Sequence, residues 1–250
     1  MTRKLTERLR RGLARRLWPQ VFDAPASAFT YDSDGLRTEH ASDFLDNPLF
    51  LRAYAAGKAT GSWWDRDVHW RAYVVCWAAS RGRTLAGDYV ECGVHRGGYS
   101  RMLAEYVDLA SLPGKKLYLV DSYCGVPERF VGAELAKQYA DAYGEFHDDV
   151  VRTFAPWPNA IVVRGVVPDV LPQVGVERVC YVSIDMNCVE PSIEAARHFW
   201  PIMTSGAVMV LDDYGFLYFQ DQKVAFDRFA KEIGTEILSL PTGQGLLIKP

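Results

Sequence analysis

From residue 87 to the end, short apolar runs alternate with segments whose apolar positions recur every three or four residues. The runs at 88–92, 117–121, 160–164, 179–185 and 207–212 read as strands, and the patterns at 99–110, 145–155, 191–200 and 221–233 as helices between them. Strand–helix alternation of this kind predicts an α/β fold with a mostly parallel, doubly wound sheet and helices on both faces. The end of the chain breaks the pattern. Residues 236–240 and 245–249 are strand-like and joined by Pro241, Thr242, Gly243 and Gln244, with no helix between. That spacing predicts an antiparallel hairpin at one sheet edge. An extra stretch, 129–144, lies between the second and third strands and is longer than a crossover needs, which suits a substrate loop.

Before residue 87 the pattern is helical or absent. Leu5, Leu9, Leu13 and Leu17 recur every fourth residue and predict a helix with one apolar stripe, ended by Trp18-Pro19. Residues 20–48 show no convincing period and read as an arm or loop, with a short helix at 43–57. A longer helix is expected at 62–81, apolar at Val68, Ala72, Val75, Cys76 and Ala79. Trp63 and Trp64 near its start either stack on a flat ligand or belong to the core. The division expected is a basic N-terminal helix and arm over 1–60 and an α/β domain over 61–250.

Charge changes this picture at one place. At 250 residues and 49% hydrophobic composition the chain builds one full-sized core, and its formal net charge of -3 argues against a nucleic-acid partner. Yet Arg3, Lys4, Arg8, Arg10, Arg11, Arg15 and Arg16 face Glu7 alone in the first twenty residues. The cationic helix suits a peripheral membrane contact, a partner subunit in a homo-oligomer with an exchanged arm, or a solvated tail. No apolar run approaches a membrane span, and arginines interrupt the leucines, unlike a signal peptide. Five cysteines without a C-x-x-C spacing read as reduced packing residues of a cytoplasmic protein.

Candidate chemistry gathers where the strands end. In GDYVECGVHRGGYS a strand runs into a turn with Gly93, Gly97 and Gly98, and a helical pattern follows. Strand, glycine turn, helix brings backbone N–H groups against a polar cofactor, although the same turn also serves merely to pack a helix on a sheet. The spacing is not G-x-G-x-x-G, and Glu91 beside a pyrophosphate would repel it. A cofactor carrying an amine, such as S-adenosylmethionine, suits Glu91 better. Asp121, at the end of the second strand, is placed to accept from both hydroxyls of a ribose, or to cap the next turn. Asp185, Asp212 and Asp213 end the fourth and fifth strands and converge on one rim. Three ionised carboxylates there require a cation, and an all-oxygen set suits Mg²⁺; separate helix caps are the other reading. Pro191 fits a first helical position, with Glu190 as N-cap and Asn187 in the loop facing the rim.

ECGVHRGG, DSYCGVPE, GVVPDVLP, IDMNCVEPS and GAVMVLDDYG occur in this order, and the chain over roughly 60–250 resembles the macrocin O-methyltransferase family. The resemblance implies a Rossmann-like class I methyltransferase fold with a seven-stranded sheet. It also implies transfer of a methyl group from S-adenosylmethionine to a sugar hydroxyl, with Mg²⁺ as a second cofactor. Carried across, Gly93 and its turn hold the cofactor, Asp121 holds its ribose, and Asp185, Asp212 and Asp213 hold the metal; the candidate cofactor set is Glu91, Gly93, Gly97, Gly98, Ser100, Asp121, Ser122 and Gly165. One position departs. Relatives read D-G-D after the fourth strand, with the second Asp as base, whereas this chain reads Asp185-Met186-Asn187. An amide accepts no proton at neutral pH, so His147 or one of the cluster's own carboxylates is expected to take it, with Asn187 positioning the acceptor. A saccharide or other small-molecule acceptor is expected. A metal-dependent glycosyltransferase and a catalytically inactive cofactor-binding protein are the rival readings.

Overall fold

The computed structural model describes residues 29–250, so the basic helix expected near the N-terminus, and any membrane or subunit contact through it, lies outside the described residues. The described residues fall into two units, divided between Asp43 and Phe44. In the first, β1 (Tyr31–Ser33) and β2 (Leu36–Thr38) pair antiparallel around Asp34-Gly35, in a stretch that sequence reads as loop. Three-residue strands are too short to show a period.

The second unit begins with a 3-10 turn and then α1 (Pro48–Lys58), capped by Asn47 Oδ1 accepting from Leu49 N at 2.9 Å. The short helix expected at 43–57 is present; it packs on a later helix, where a Cβ on Gly57 would come within 2.6 Å of Gly98 O. α2 spans His69–Gly82. It starts seven residues later than expected, because Gly61 (φ +77°) and Trp64 (φ +51°) take left-handed conformations that no α-helix accommodates. Trp63 and Trp64 therefore sit in a turn, the first buried and the second 55% exposed.

The remainder follows the expected alternation: β3 (Asp88–Cys92), α3 (Gly98–Tyr106), β4 (Leu117–Asp121), α4 (Glu128–Val131), α5 (Ala133–Tyr143), α6 (His147–Phe154), β5 (Ala160–Arg164), α7 (Leu171–Val174), β6 (Val179–Ile184), α8 (Val189–Phe199), β7 (Met203–Leu211), α9 (Gln220–Glu232), β8 (Leu238–Ser239) and β9 (Gly245–Ile248). The extra stretch 129–144 is thus largely helical. α8 begins at Val189 with an extended Cys188 before it, so Pro191 lies third in the helix and Glu190 is not the cap.

Seven strands form one sheet in the order β5-β4-β3-β6-β7-β9-β8. β3 to β7 are parallel, and β9 runs antiparallel to both β7 and β8, as the hairpin predicts. Alternation along each strand sorts the core into two layers. Tyr89, Leu117, Leu119 and Tyr181 pack with Phe50, Val75, Met102 and Val150 on one face. Val90, Val120, Val182 and Met209 pack with Ala195, Phe199, Phe226 and Phe229 on the other. The winding direction reverses between β3 and β6, so a crevice opens beyond their carboxyl ends. Among the described residues no helix is long and apolar enough to cross a membrane.

Candidate active site

A cleft of about 490 Å³ lies at that reversal, in the size range of small-molecule sites. Its floor is the close approach of two strand ends. Gly93 (φ +87°) leaves β3 against the chain leaving β6, and a Cβ there would fall 1.8 Å from Asp185 O. Only glycine fits.

The turn after Gly93 is held by Asp121. Its Oδ2 accepts from Val94 N at 2.6 Å and His95 N at 2.8 Å, and its Oδ1 accepts from Tyr123 N at 2.6 Å. The capping reading of Asp121 is therefore present, and most of its acceptor capacity goes to the backbone. Burial raises this carboxyl's pKa while those N–H bonds pull it back. Packing already requires glycine at 97 and 98, since added Cβ atoms would meet the Phe154 ring at 2.8 Å and Ser62 Cβ at 2.7 Å, and Gly98 also lines the cleft. Gly98 N donates to Ser62 Oγ at 2.8 Å. Ser122 and Gly165 line the cleft, whereas Gly97 and Ser100 do not.

Glu91 lines the cleft with 3% exposure and accepts from Ser100 Oγ. Burial, reinforced by the charges of Asp121 and Asp212, pushes it up to about 8. Such a carboxyl is protonated when folded and ionised when unfolded between its ordinary 4.5 and about 8, so it stabilises most below 4.5 and progressively less up to about 8. In the metal-free protein, thermal stability is expected to fall from pH 5 to pH 8, with Glu91 contributing at most about 1.4 kcal/mol per pH unit. Glu91→Gln should shrink that fall in calorimetric scans. An unchanged slope would show that Glu91 ionises freely.

Asp185, Asp212 and Asp213 converge as the sequence suggests, offering oxygens within 4.8 Å of one another. Desolvation and the charges of Asp212 and Asp213 raise the Asp185 carboxyl well above its usual range, and desolvation with Asp212 pushes Asp213 to about 7. Three hard oxygen donors packed this closely form a set whose mutual repulsion a divalent cation would relieve, so the residues fit Mg²⁺. Two of the three acids are braced: Asp212 by Gln244 Nε2 and Arg71 NH1, both at 2.8 Å, and Asp213 by Asn187 N at 3.2 Å and Gln222 Nε2 at 3.4 Å. Asn187 holds φ +55°, a conformation asparagine tolerates, and lines the cleft.

His147 is not part of this site. It begins α6 with Nδ1 3.1 Å from Asp148 Oδ1 and its ring edge-on to Tyr123, and it does not line the cleft. His95 does, in a left-handed conformation, and burial lowers its pKa to about 4. Its ring packs between Trp64, Tyr143 and Phe146 at 5.1–5.6 Å, with Nε2 buried and without a hydrogen-bond partner. Four of the non-glycine residues with positive φ, Trp64, His95, Tyr123 and Asn187, line this one cleft. Strain so placed accords with a working site. Sequence reasoning missed His95, Tyr143, Arg71 and Gln244. Only His95, inside the glycine motif, carried a local signal.

Known proteins share this fold. A curated relative from Streptomyces olivaceus, 8-demethyl-8-(2,3-dimethoxy-alpha-L-rhamnosyl)-tetracenomycin-C 4'-O-methyltransferase, is 25% identical over 152 residues, covering 52% of this chain and 54% of its own. The chain thus spans about half the length of the curated relative it matches. The solved O-methyltransferase NovP shares the fold with a TM-score of 0.62 at 17% identity, over 72% of this chain and 79% of that one. CalS11, a calicheamicin methyltransferase, does so at 0.53 and 15%, over 90% and 96%. The macrocin-O-methyltransferase (TylF) family model matches residues 74–240, which take in the glycine turn, Asp121 and the whole acid cluster, and the chain belongs to that family.

Proposed function

We propose that this protein is an S-adenosylmethionine-dependent O-methyltransferase acting on a hydroxyl of a sugar or glycosylated metabolite, with Mg²⁺ at Asp185, Asp212 and Asp213. One observation carries the reading. The glycine turn of β3 and the acid cluster of β6 and β7 open into a single cleft, with Gly93 against Asp185. S-adenosylmethionine would supply an electrophilic methyl group, and Mg²⁺ a Lewis acid that lowers an acceptor hydroxyl's pKa.

The chain's own residues do the rest. Glu91 is placed to accept from the cofactor's amine, and Asp121, by fixing Val94 and His95, shapes the turn against which the cofactor lies. Gly93 and Ser122 complete that wall, and Gly165 borders it. Asn187 positions the acceptor by hydrogen bonding. One of the cluster's own carboxylates takes the acceptor's proton. Trp64, Tyr143 and Phe216 exclude water along the cleft. Holding two reactants in line is itself a large part of such catalysis. The tetracenomycin relative's rhamnosyl acceptor makes 6-deoxyhexosyl glycosides the first compounds to try. The five cysteines are free, which suits a cytoplasmic enzyme, and a homo-oligomer is part of the same proposal.

The test is transfer of labelled methyl from S-adenosylmethionine to a panel of rhamnosides and other deoxyhexosides, with Mg²⁺ or EDTA. Asn187→Asp is expected to speed the alkaline reaction by about tenfold or more, within the range of general-base help. His147→Ala should leave the pH-rate profile unchanged. Tight cofactor binding without transfer by any of these proteins would favour the binding-protein reading, in which Asn187 marks a lost base.

A further inference from the structure

Three ionised carboxylates around one divalent ion leave a surplus negative charge, which a buried cluster bears poorly. The protein carries its own compensation. Arg71, in the first turn of α2, donates from NH1 to Asp212 Oδ2 at 2.8 Å, with the two side chains only 13% and 4% exposed. The other oxygen of Asp212 is held by the neutral amide of Gln244, and Asp213 by the amide of Gln222 and a backbone N–H. Among the described residues Arg71 is therefore the only cation hydrogen-bonded to the cluster. Its guanidinium also lies 5.4 Å from the centre of the Phe216 ring, which fixes it at the cleft wall.

We propose that Arg71 is a charge-balancing and positioning residue that sets how tightly the acid cluster holds a divalent cation. The inference rests on the metal reading above. The guanidinium and the ion share Asp212 and repel one another, so Arg71 weakens the ion's hold while bringing the occupied cluster to neutrality. A merely structural brace acts in the opposite sense, because its loss would let Asp212 swing away and the ion bind less well.

Mn²⁺ binding, followed by electron paramagnetic resonance of the free ion, separates the two without any acceptor. Arg71→Gln keeps a donor but removes the charge, and is expected to bind Mn²⁺ at least about tenfold more tightly than wild type. Arg71→Lys keeps the charge and should stay within about threefold. Arg71→Met, which retains the aliphatic stem, serves if the glutamine variant folds poorly, with the same tightening expected. Equal or weaker Mn²⁺ binding by the uncharged variants overturns the inference while leaving the metal site standing. Failure of wild type itself to bind Mn²⁺ overturns both.

Discussion

Asp185→Asn is expected to lower methyl transfer by at least about a hundredfold, because it removes one of the three carboxylates that would hold the metal. The same substitution should make the metal-free protein more stable at pH 8. Desolvation and two neighbouring acids raise the Asp185 carboxyl well above its usual range, so ionising it at that pH opposes folding. Activity and stability then move in opposite directions, as expected where a site keeps a strained group for function. Melting temperature in EDTA and Mn²⁺ binding read the two effects before an acceptor is known. A variant that melts at the wild-type temperature and still binds Mn²⁺ would show that Asp185 is an ordinary loop acid.

Asp121→Asn is expected to cost the protein about a hundredfold or more in affinity for S-adenosylhomocysteine. The usual view of this substitution is mild, since an amide keeps one acceptor oxygen. Here both carboxylate oxygens accept from the backbone, Oδ2 from Val94 and His95 and Oδ1 from Tyr123. Whichever way the amide turns, its NH₂ group faces an N–H. Hydrogen bonds to a charged acceptor contribute about 1.5–3 kcal/mol each, and losing even one while burying unpaired donors suffices for this effect. The glycine turn then relaxes, and cofactor affinity follows. Titration calorimetry measures it, with circular dichroism to check the fold. Wild-type affinity in Asp121→Asn would mean that the turn holds its shape without the acid.

Much of this architecture is legible in the sequence because period-two and period-3.6 patterns are local. All five parallel strands fall where the apolar runs place them, although β7 starts earlier, at Met203. The terminal hairpin follows from the missing helix before Gly245. What the sequence hides is conformation set by tertiary contact. The apolar pattern carries the expected helix back to Ser62, but Trp64 takes a left-handed φ, and α2 waits until His69. Gly97 and Gly98 look like ligand-clearing glycines, yet packing against Phe154 and Ser62, which are distant in sequence, already requires them.

The site divides along the same line. Asp185, Asp212 and Asp213 are readable together because parallel strands end on one rim. The residues that brace them are not, since Arg71 lies 141 residues from Asp212 and Gln244 sits in what looks like an ordinary hairpin turn. His147, one of the two bases expected from the sequence, begins α6 beside Tyr123 and does not line the cleft. His95, by contrast, is half-buried among aromatic rings and kept neutral. Its place within the glycine motif was the available clue.

Titration calorimetry of S-adenosylhomocysteine into the metal-free and the Mg²⁺-loaded protein tests the central claim most directly. Saturable one-to-one binding is expected in both, because Glu91 and the turn held by Asp121 are not among the residues that would hold the metal. No binding of S-adenosylhomocysteine in either state, alongside Mg²⁺-dependent binding of UDP, would contradict it and assign the cleft to a nucleotide-sugar donor.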